Sequence, residues 1–358
     1  MTMNSKQRNS ERSLHPENPI EIFDHLASSG KPFFAYRLPG EKHLSLGIGR
    51  LTDESNYNFE EAFAIAPFDS TQKIRLIIPE TSFQTPQSSQ NWSIDAIQWS
   101  DPKSPPKSYV EGINKAVETL KERGGKIVIS RVLEAKGRLN SPASIFHKLC
   151  FTYPDSYIYC WSLEDNDLWI GASPELLLKS SGQKLESMAL AGTLDTNNHT
   201  DWDEKNLEEQ HIVTDFIVSE FKNNALVPEI KGPVERKAGP VKHLCTNIFS
   251  SILPSFDILG FARQLSPTPA VSGYPRNEAL TDIKSFETTS RKYYGGFSGP
   301  IFARSKMSFY VTLRCMHIKE SDKLIDFYAG GGITARSNAQ VEWQETRMKL
   351  STLLSIFE

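Results

Sequence analysis

Glu342, Glu345 and Lys349 stand i, i+3 and i+7 apart in Glu342-Trp-Gln-Glu-Thr-Arg-Met-Lys349. That spacing puts all three on one face of a helix. Pattern alone reads them as a solvated stripe with a Glu-to-Lys i,i+4 pair, although paired carboxylates are also hard-oxygen ligands for a cation. A second acidic stretch, Asp201-Trp-Asp-Glu-Lys-Asn-Leu-Glu-Glu-Gln-His211, contains Glu209. Such a run is ordinarily exposed surface. Lys126 opens a strand of apolar residues, ordinarily a surface position. Glu175 follows Ser173-Pro174, where proline fixes φ and biases the preceding residue to an extended shape, so the carboxylate leaves a rigid turn.

Ala191-Gly192-Thr193 and Ala329-Gly-Gly-Gly-Ile333 are glycine-bearing segments beside strands. Neither is a phosphate loop, because no Gly-Lys-Ser/Thr follows and no Gly-x-Gly-x-x-Gly opens. They read either as tight turns or as close backbone approaches to an anionic ligand, with the Thr193 and Gly330 N–H groups facing it. The chain has no Gly-x-Ser-x-Gly elbow, no His-Glu-x-x-His and no EF-hand loop.

The elements that must position these residues follow from periodicity. Tyr109, Ile113, Ala116, Val117 and Leu120 recur at helical spacing, ended by Gly124-Gly125. Lys126–Val132 is β-branched and reads as a strand. Ser156–Ser162 and Leu168–Gly171 form a strand pair across Glu164-Asp-Asn-Asp167, and Glu204–Phe221 a strong helix. Met307–Lys319 and Lys323–Ala329 read as one long hairpin across Glu320-Ser-Asp322. Ser337 or Asn338 caps a last helix reaching about Phe357. Earlier in the chain, Phe33–Tyr36 and Ile74–Ile78 are strand-like, and Pro79–Gln90 reads as loop. Residues 1–18 are expected to be disordered, residues 19–103 to form an N-terminal region of the same globule, and residues 104–358 the catalytic region. Asp101-Pro-Lys-Ser-Pro-Pro-Lys107 is the linker candidate. Adjoining hairpins predict an α/β protein with large, mostly antiparallel sheets rather than a doubly wound parallel one.

With 40 basic against 43 acidic residues, nothing points to nucleic acid or an anionic membrane surface. Cys150, Cys160, Cys245 and Cys315 are far apart with no Cys-x-x-Cys, which fits a reducing cytoplasm without zinc or disulfides. The first residues lack an apolar stretch of the kind a secretory signal needs, and no run reaches membrane-span length.

Six segments in order carry a family resemblance: Lys126-Ile-Val-Ile-Ser-Arg131, Gly171-Ala-Ser-Pro-Glu175, Leu190-Ala-Gly-Thr193, Glu208-Glu-Gln-His211, Ser266-Pro-Thr-Pro-Ala-Val-Ser-Gly273 and Glu342–Lys349. Together they resemble the chorismate-utilising enzymes, which include anthranilate, aminodeoxychorismate, isochorismate and salicylate synthases. The likeness covers roughly residues 105–358. It implies packed antiparallel sheets with helices outside and an active site between them. It further implies Mg²⁺ held by Glu209 and Glu345 with Glu342 nearby, Lys126 as the base that activates water, and Glu175 as the acid that protonates the departing hydroxyl. Lys349 would meet a substrate carboxylate and Arg314 the enolpyruvyl carboxylate. Gly192, Thr193, His243, Ala270 and Gly330 would line the substrate. A lysine base must shed its proton, which burial among apolar neighbours favours and which arginine could not do. Glu175 must instead hold a proton near neutrality, through apolar surroundings or other carboxylates.

Two residues choose a branch. Aminodeoxychorismate synthases typically carry lysine where this chain has Ala191, and ammonia-using anthranilate synthases typically lack a lysine at the position of Lys126. Water is therefore the expected nucleophile, the substrate chorismate, and the expected activity isochorismate synthesis for menaquinone or a siderophore, with no glutamine amidotransferase subunit. The alternatives are a salicylate synthase and an inactive homologue that binds chorismate or a partner. Intact Lys126, Glu175, Glu209 and Glu345 argue against the last. The chain departs from the family at Asn206, where a second acid is frequent, and at Ser266, where histidine is frequent.

Overall fold

A computed structural model describes residues 19–358 except 59, 88–91, 164–166, 198–199 and 320. The expectation for residues 1–18 lies outside the described residues, as do most of the 164–167 turn and Glu320. Seven helices are described: α1 (Pro19–Ala27), α2 (Lys107–Arg123), α3 (Pro142–Thr152), α4 (Glu204–Asn223), α5 (Ile258–Leu265), α6 (Arg276–Phe286) and α7 (Ala339–Leu354). The strands are β1 (Phe33–Arg37), β2 (His43–Asp53), β3 (Ala62–Ala66), β4 (Arg75–Pro86), β5 (Gln98–Trp99), β6 (Lys126–Lys136), β7 (Tyr157–Ser162), β8 (Asp167–Ser173) and β9 (Leu176–Ser181). They continue with β10 (Lys184–Asp195), β11 (Glu229–Ala238), β12 (Val241–Ser251), β13 (Gly273–Tyr274), β14 (Phe297–Ala303), β15 (Lys306–Val311), β16 (Cys315–Lys319) and β17 (Leu324–Ile333).

The pairings run β5-β6-β17-β16-β8-β7-β1-β2-β4-β3-β14-β15-β9-β10-β12-β11, every one antiparallel. The expected α/β fold with large antiparallel sheets is the one observed. β1 and β3 of the N-terminal region pair into the same sheet, β1 with β7 and β3 with β14.

Three apolar layers explain why the sheet folds over. In β7, Tyr157, Tyr159 and Trp161 point inward to an aromatic layer with Trp169, Tyr294, Tyr310 and Tyr328. The alternate residues Ile158 and Cys160 point outward beneath α1, α3 and α7. That is the two-residue period of a strand with both faces buried. On the far side Val213, Ile217 and Phe221 of α4, with Phe261 of α5, cover Leu178, Leu185, Ile248 and Phe309. Tyr157 and Tyr310 stack at 4.3 Å between ring centroids and Trp161 and Trp169 at 5.5 Å, so the interior is specified by ring geometry as well as by area.

Three local expectations are corrected. Pro79–Gln90 is not all loop: β4 runs to Pro86, paired with β2 out to His43. Its side chains there are mostly exposed, so backbone pairing holds a polar stretch that composition reads as coil. Met307–Lys319 is two strands, interrupted at Thr312–Arg314, where Arg314 has φ +46°. Asp101–Lys107 is a strap pinned to α7: Asp101 pairs with Arg131 and Arg347, and the Pro102 carbonyl accepts from Trp343 Nε1.

Candidate active site

The site lies where β6, β10, β12 and β17 meet α4 and α7. Lys126, Glu175, Gly192, Thr193, Glu209, His243, Ala270, Arg314, Gly330 and Lys349 line one pocket. Glu342 and Glu345 adjoin it through Lys205 and Lys349 and make an acidic wall with Glu209. All twelve residues expected from sequence are thus brought together, from positions more than two hundred residues apart.

Each is placed by an identifiable local device. β6 and β17 pair with Gly330 opposite Ser130 and Gly332 opposite Val128, and α7 follows directly. Asn338 caps α7, accepting from the Gln340 and Val341 N–H groups. Trp343 then packs edge-on against Tyr109 at 4.9 Å and beneath the Arg131 guanidinium, which turns Glu342, Glu345 and Lys349 toward the sheet. Asp203 caps α4, and Gln210 docks it by donating to the Ala189 carbonyl and Thr246 Oγ1. Gly332 permits the closest approach. A Cβ there would stand 2.5 Å from Glu209 Oε2 and 2.7 Å from Lys126 Cε, so any larger residue would displace the ends of these two side chains.

The charged groups form a chain of alternating sign. Lys126 Nζ is 2.8 Å from Glu209 Oε2, with side chains 2% and 9% exposed. Lys205 Nζ is 3.5 Å from Glu209 Oε1 and 2.7 Å from Glu342 Oε1. Lys349 Nζ is 2.6 Å from Glu345 Oε1 and donates to the Gly330 carbonyl at 2.9 Å. Burial pushes the Glu342 carboxyl up, reinforced by Glu345. Burial also opposes ionisation of Glu345, but Lys349 and Lys205 outweigh it and hold that carboxyl below its ordinary range. Lys205 is held above its ordinary value: burial works against its charge, and Glu209 and Glu342 more than reverse that.

Glu175 differs from the other acids. It is buried, Oε1 has no hydrogen-bond partner among the described residues, and burial raises its carboxyl to about 8 against the lesser pull of Lys126 and Lys349. Desolvation of the charged form, not a neighbouring carboxylate, is the dominant cause. Arg314 is also buried. It donates to Thr352 Oγ1 at 2.8 Å and sits 3.2 Å from His243 Nε2, and among the described residues no carboxylate pairs with it. His243 Nδ1 is 2.7 Å from the Gly192 carbonyl. The network assigns a neutral ring, with Nδ1–H donating to Gly192 and Nε2 accepting from Arg314. Burial, then Arg314 and Lys349, depress its pKa to about 3.

The glycine segments act less directly than expected. The Thr193 N–H is already given to Asn206 Oδ1 at 2.8 Å, and Gly192 sits at φ +70° in the bulge between Ala191 and Leu194. Asn206, which departs from the family's usual acid, is thus the brace of this loop. Sequence reasoning missed Lys205, Gly332 and the pocket wall of Val128, Tyr294 and Leu313. Lys205 stands i,i+4 to Glu209, a spacing that could have flagged it.

The residues fit a hard divalent cation in donor chemistry. Glu209, Glu342 and Glu345 offer oxygen ligands, and Glu342 Oε2 is buried with no hydrogen-bond partner among the described residues. As the side chains stand, no group of three or more acidic, histidine or cysteine ligands among the described residues is assembled into a cage; lysine ammoniums hold the carboxylates instead. No described helix is long and apolar enough to cross a membrane.

Comparison with known proteins follows the same line. Isochorismate synthase EntC of Escherichia coli (strain K12) is 28% identical over 314 residues, covering 81% of this chain and 79% of that protein. Isochorismate synthase MenF of Bacillus subtilis (strain 168) is 31% identical over 262 residues, 69% of this chain and 55% of that protein. Anthranilate synthase component 1 of Lactococcus lactis is 29% identical over 265 residues. Two solved structures share the fold. The menaquinone-specific isochorismate synthase MenF of Escherichia coli has a TM-score of 0.79 at 20% identity, covering 95% of this chain and 92% of that one. A putative 2,3-dihydroxybenzoate-specific isochorismate synthase of Bacillus anthracis has a TM-score of 0.78 at 22% identity, covering 94% and 99%. The chorismate binding enzyme family matches residues 50–358, a span that holds every residue of the pocket, and the chain belongs to that family.

Proposed function

We propose that the chain is a Mg²⁺-dependent isochorismate synthase, converting chorismate to isochorismate for menaquinone or siderophore synthesis. One observation carries the reading: a buried carboxyl that burial raises to about 8, Glu175, shares a pocket with a buried lysine, Lys126, and with an arginine that has no carboxylate partner among the described residues. A group that can give a proton and a group that can take one are what exchange of hydroxyl positions on a ring requires. The relatives named isochorismate synthase support the same activity.

In this reading Arg314 receives the enolpyruvyl carboxylate, a charge-assisted contact in a dry site. Lys126 Nζ takes a proton from water as its oxygen bonds to C2. The ring double bonds shift, the C4–oxygen bond breaks, and Glu175 gives its proton to the departing hydroxyl, which leaves as water. One water enters and one leaves, so the net change is an isomerisation. For this step Lys126 must be the free amine, its ammonium proton having passed to Glu209 or to solvent, and the proton it gains returns through solvent to Glu175, which resets both groups. Glu209 and Glu345, with Glu342, would hold the metal ion, whose charge would neutralise the ring carboxylate. The remaining polar groups orient: His243 keeps Arg314 in place, and Asn206 keeps the 192–193 loop open.

The test is to incubate purified protein with chorismate and Mg²⁺, with and without ammonium, and to identify products by chromatography. Isochorismate alone is expected. Salicylate with pyruvate would move the chain to the salicylate synthases. Anthranilate or aminodeoxychorismate would refute water as the nucleophile.

A further inference from the structure

Lys205 is the one lysine of the acidic wall with no task in the reaction just described. Its ammonium lies between Glu209 and Glu342, two carboxylates from different helices that are assigned to the metal. We infer that Lys205 is a resident counter-cation: it holds the acidic wall together when no metal is bound and must leave before a divalent cation can bind, so it sets the metal affinity of this protein. The inference rests on the assignment of Glu209 and Glu342 to the metal.

Three observations carry it. First, the wall is too acidic to stay assembled alone. Glu209, Glu342 and Glu345 converge within a buried region, and like charges brought out of water repel strongly. Lys126 and Lys349 each engage one of these acids, but only Lys205 bridges two. Second, the bridge is one-sided. Glu342 Oε1 accepts from Lys205 Nζ, while Oε2 is buried with no hydrogen-bond partner among the described residues, so the ammonium leaves ligand capacity that a cation of higher charge would use. Third, Lys205 is the member of the trio with a way out. Its side chain is 17% exposed, against 9% for Glu209 and 1% for Glu342, and it springs from the first turn of α4. The ammonium can swing to water on its flexible stem while both carboxylates stay in place.

The consequence has opposite signs for binding and stability. Removing the ammonium should tighten divalent binding, because the metal no longer displaces a bound charge. It should also destabilise the metal-free protein, because two buried carboxylates lose their shared partner. A lysine that merely propped α4 would lower stability with no gain in affinity.

The experiment measures Mn²⁺ affinity by the loss of its free electron paramagnetic resonance signal, in native protein, Lys205→Met and Lys205→Gln, alongside melting temperatures with and without Mg²⁺. Lys205→Gln retains a donor for Glu342 and serves if the methionine variant does not fold. Expected are Mn²⁺ binding at least about tenfold tighter in the variants, a lower melting temperature without metal, and a larger upward shift on adding Mg²⁺ than native protein shows. Equal or weaker Mn²⁺ binding in the variants, with native binding intact, would overturn the role of Lys205 and leave the metal site standing. Absence of Mn²⁺ binding in native protein and both variants would instead remove the metal site, and this inference with it.

Discussion

Glu175→Gln should make the protein inactive and more stable at once. The carboxyl rises from an ordinary 4.5 to about 8 because burial penalises its charged form. Between those values the folded protein binds more protons than the unfolded chain, so stability falls as pH rises. The contribution of Glu175 is intact below the unfolded value and is lost progressively up to the folded one. Each pH unit across that window is worth about 1.4 kcal/mol. Relative to a neutral side chain of the same shape, native Glu175 therefore costs about 1 kcal/mol near pH 5 and about 3 kcal/mol near pH 7. Glutamine carries no such penalty. Urea denaturation of native protein and variant should show their difference growing by these amounts from about pH 5 to about pH 8. Chorismate turnover in the variant should fall by roughly 10² or more, since no proton remains to give. A stability difference that does not change with pH, or a variant less stable throughout, would show that Glu175 is ionised and paired, and the general-acid assignment would fall.

Three further outcomes are expected. Lys126→Ala should lower kcat by roughly 10² with little change in KM, whereas Arg314→Ala should chiefly raise KM; near-normal kcat for Lys126→Ala would make that lysine a binding residue. Gly332→Ala should lower turnover, because its Cβ would stand 2.5 Å from Glu209 Oε2 and displace it from Lys126; wild-type rates would mean that the Lys126–Glu209 crossing is not needed. EDTA should abolish turnover and Mg²⁺ restore it, and full activity in metal-free buffer would remove the cation from the mechanism.

Much of the fold was legible because its periodicities are strong. The helix ending at Gly124-Gly125, the strand opening at Lys126 and the capped last helix all stand where apolar spacing and punctuation put them. The 79–86 segment was not, because its strand is held by backbone pairing to β2, and side-chain composition carries no record of a backbone partner. The break before Arg314 was also hidden: a positive φ at arginine is paid in strain and imposed by the surrounding sheet.

For the site, the sequence by itself determined which groups are present. One-face spacing put Glu342, Glu345 and Lys349 together, ordered motifs nominated Lys126, Glu175 and Glu209, and the family resemblance nominated Arg314. Only the tertiary structure decided their states. Burial, which is a property of the packed whole, leaves Glu175 protonated and His243 neutral. Contacts between α4, α7 and β17 place Lys205 between two carboxylates and give the Thr193 N–H to Asn206. Local sequence encodes spacing along one element, whereas charge state and partner choice depend on distances between elements that are far apart in the chain.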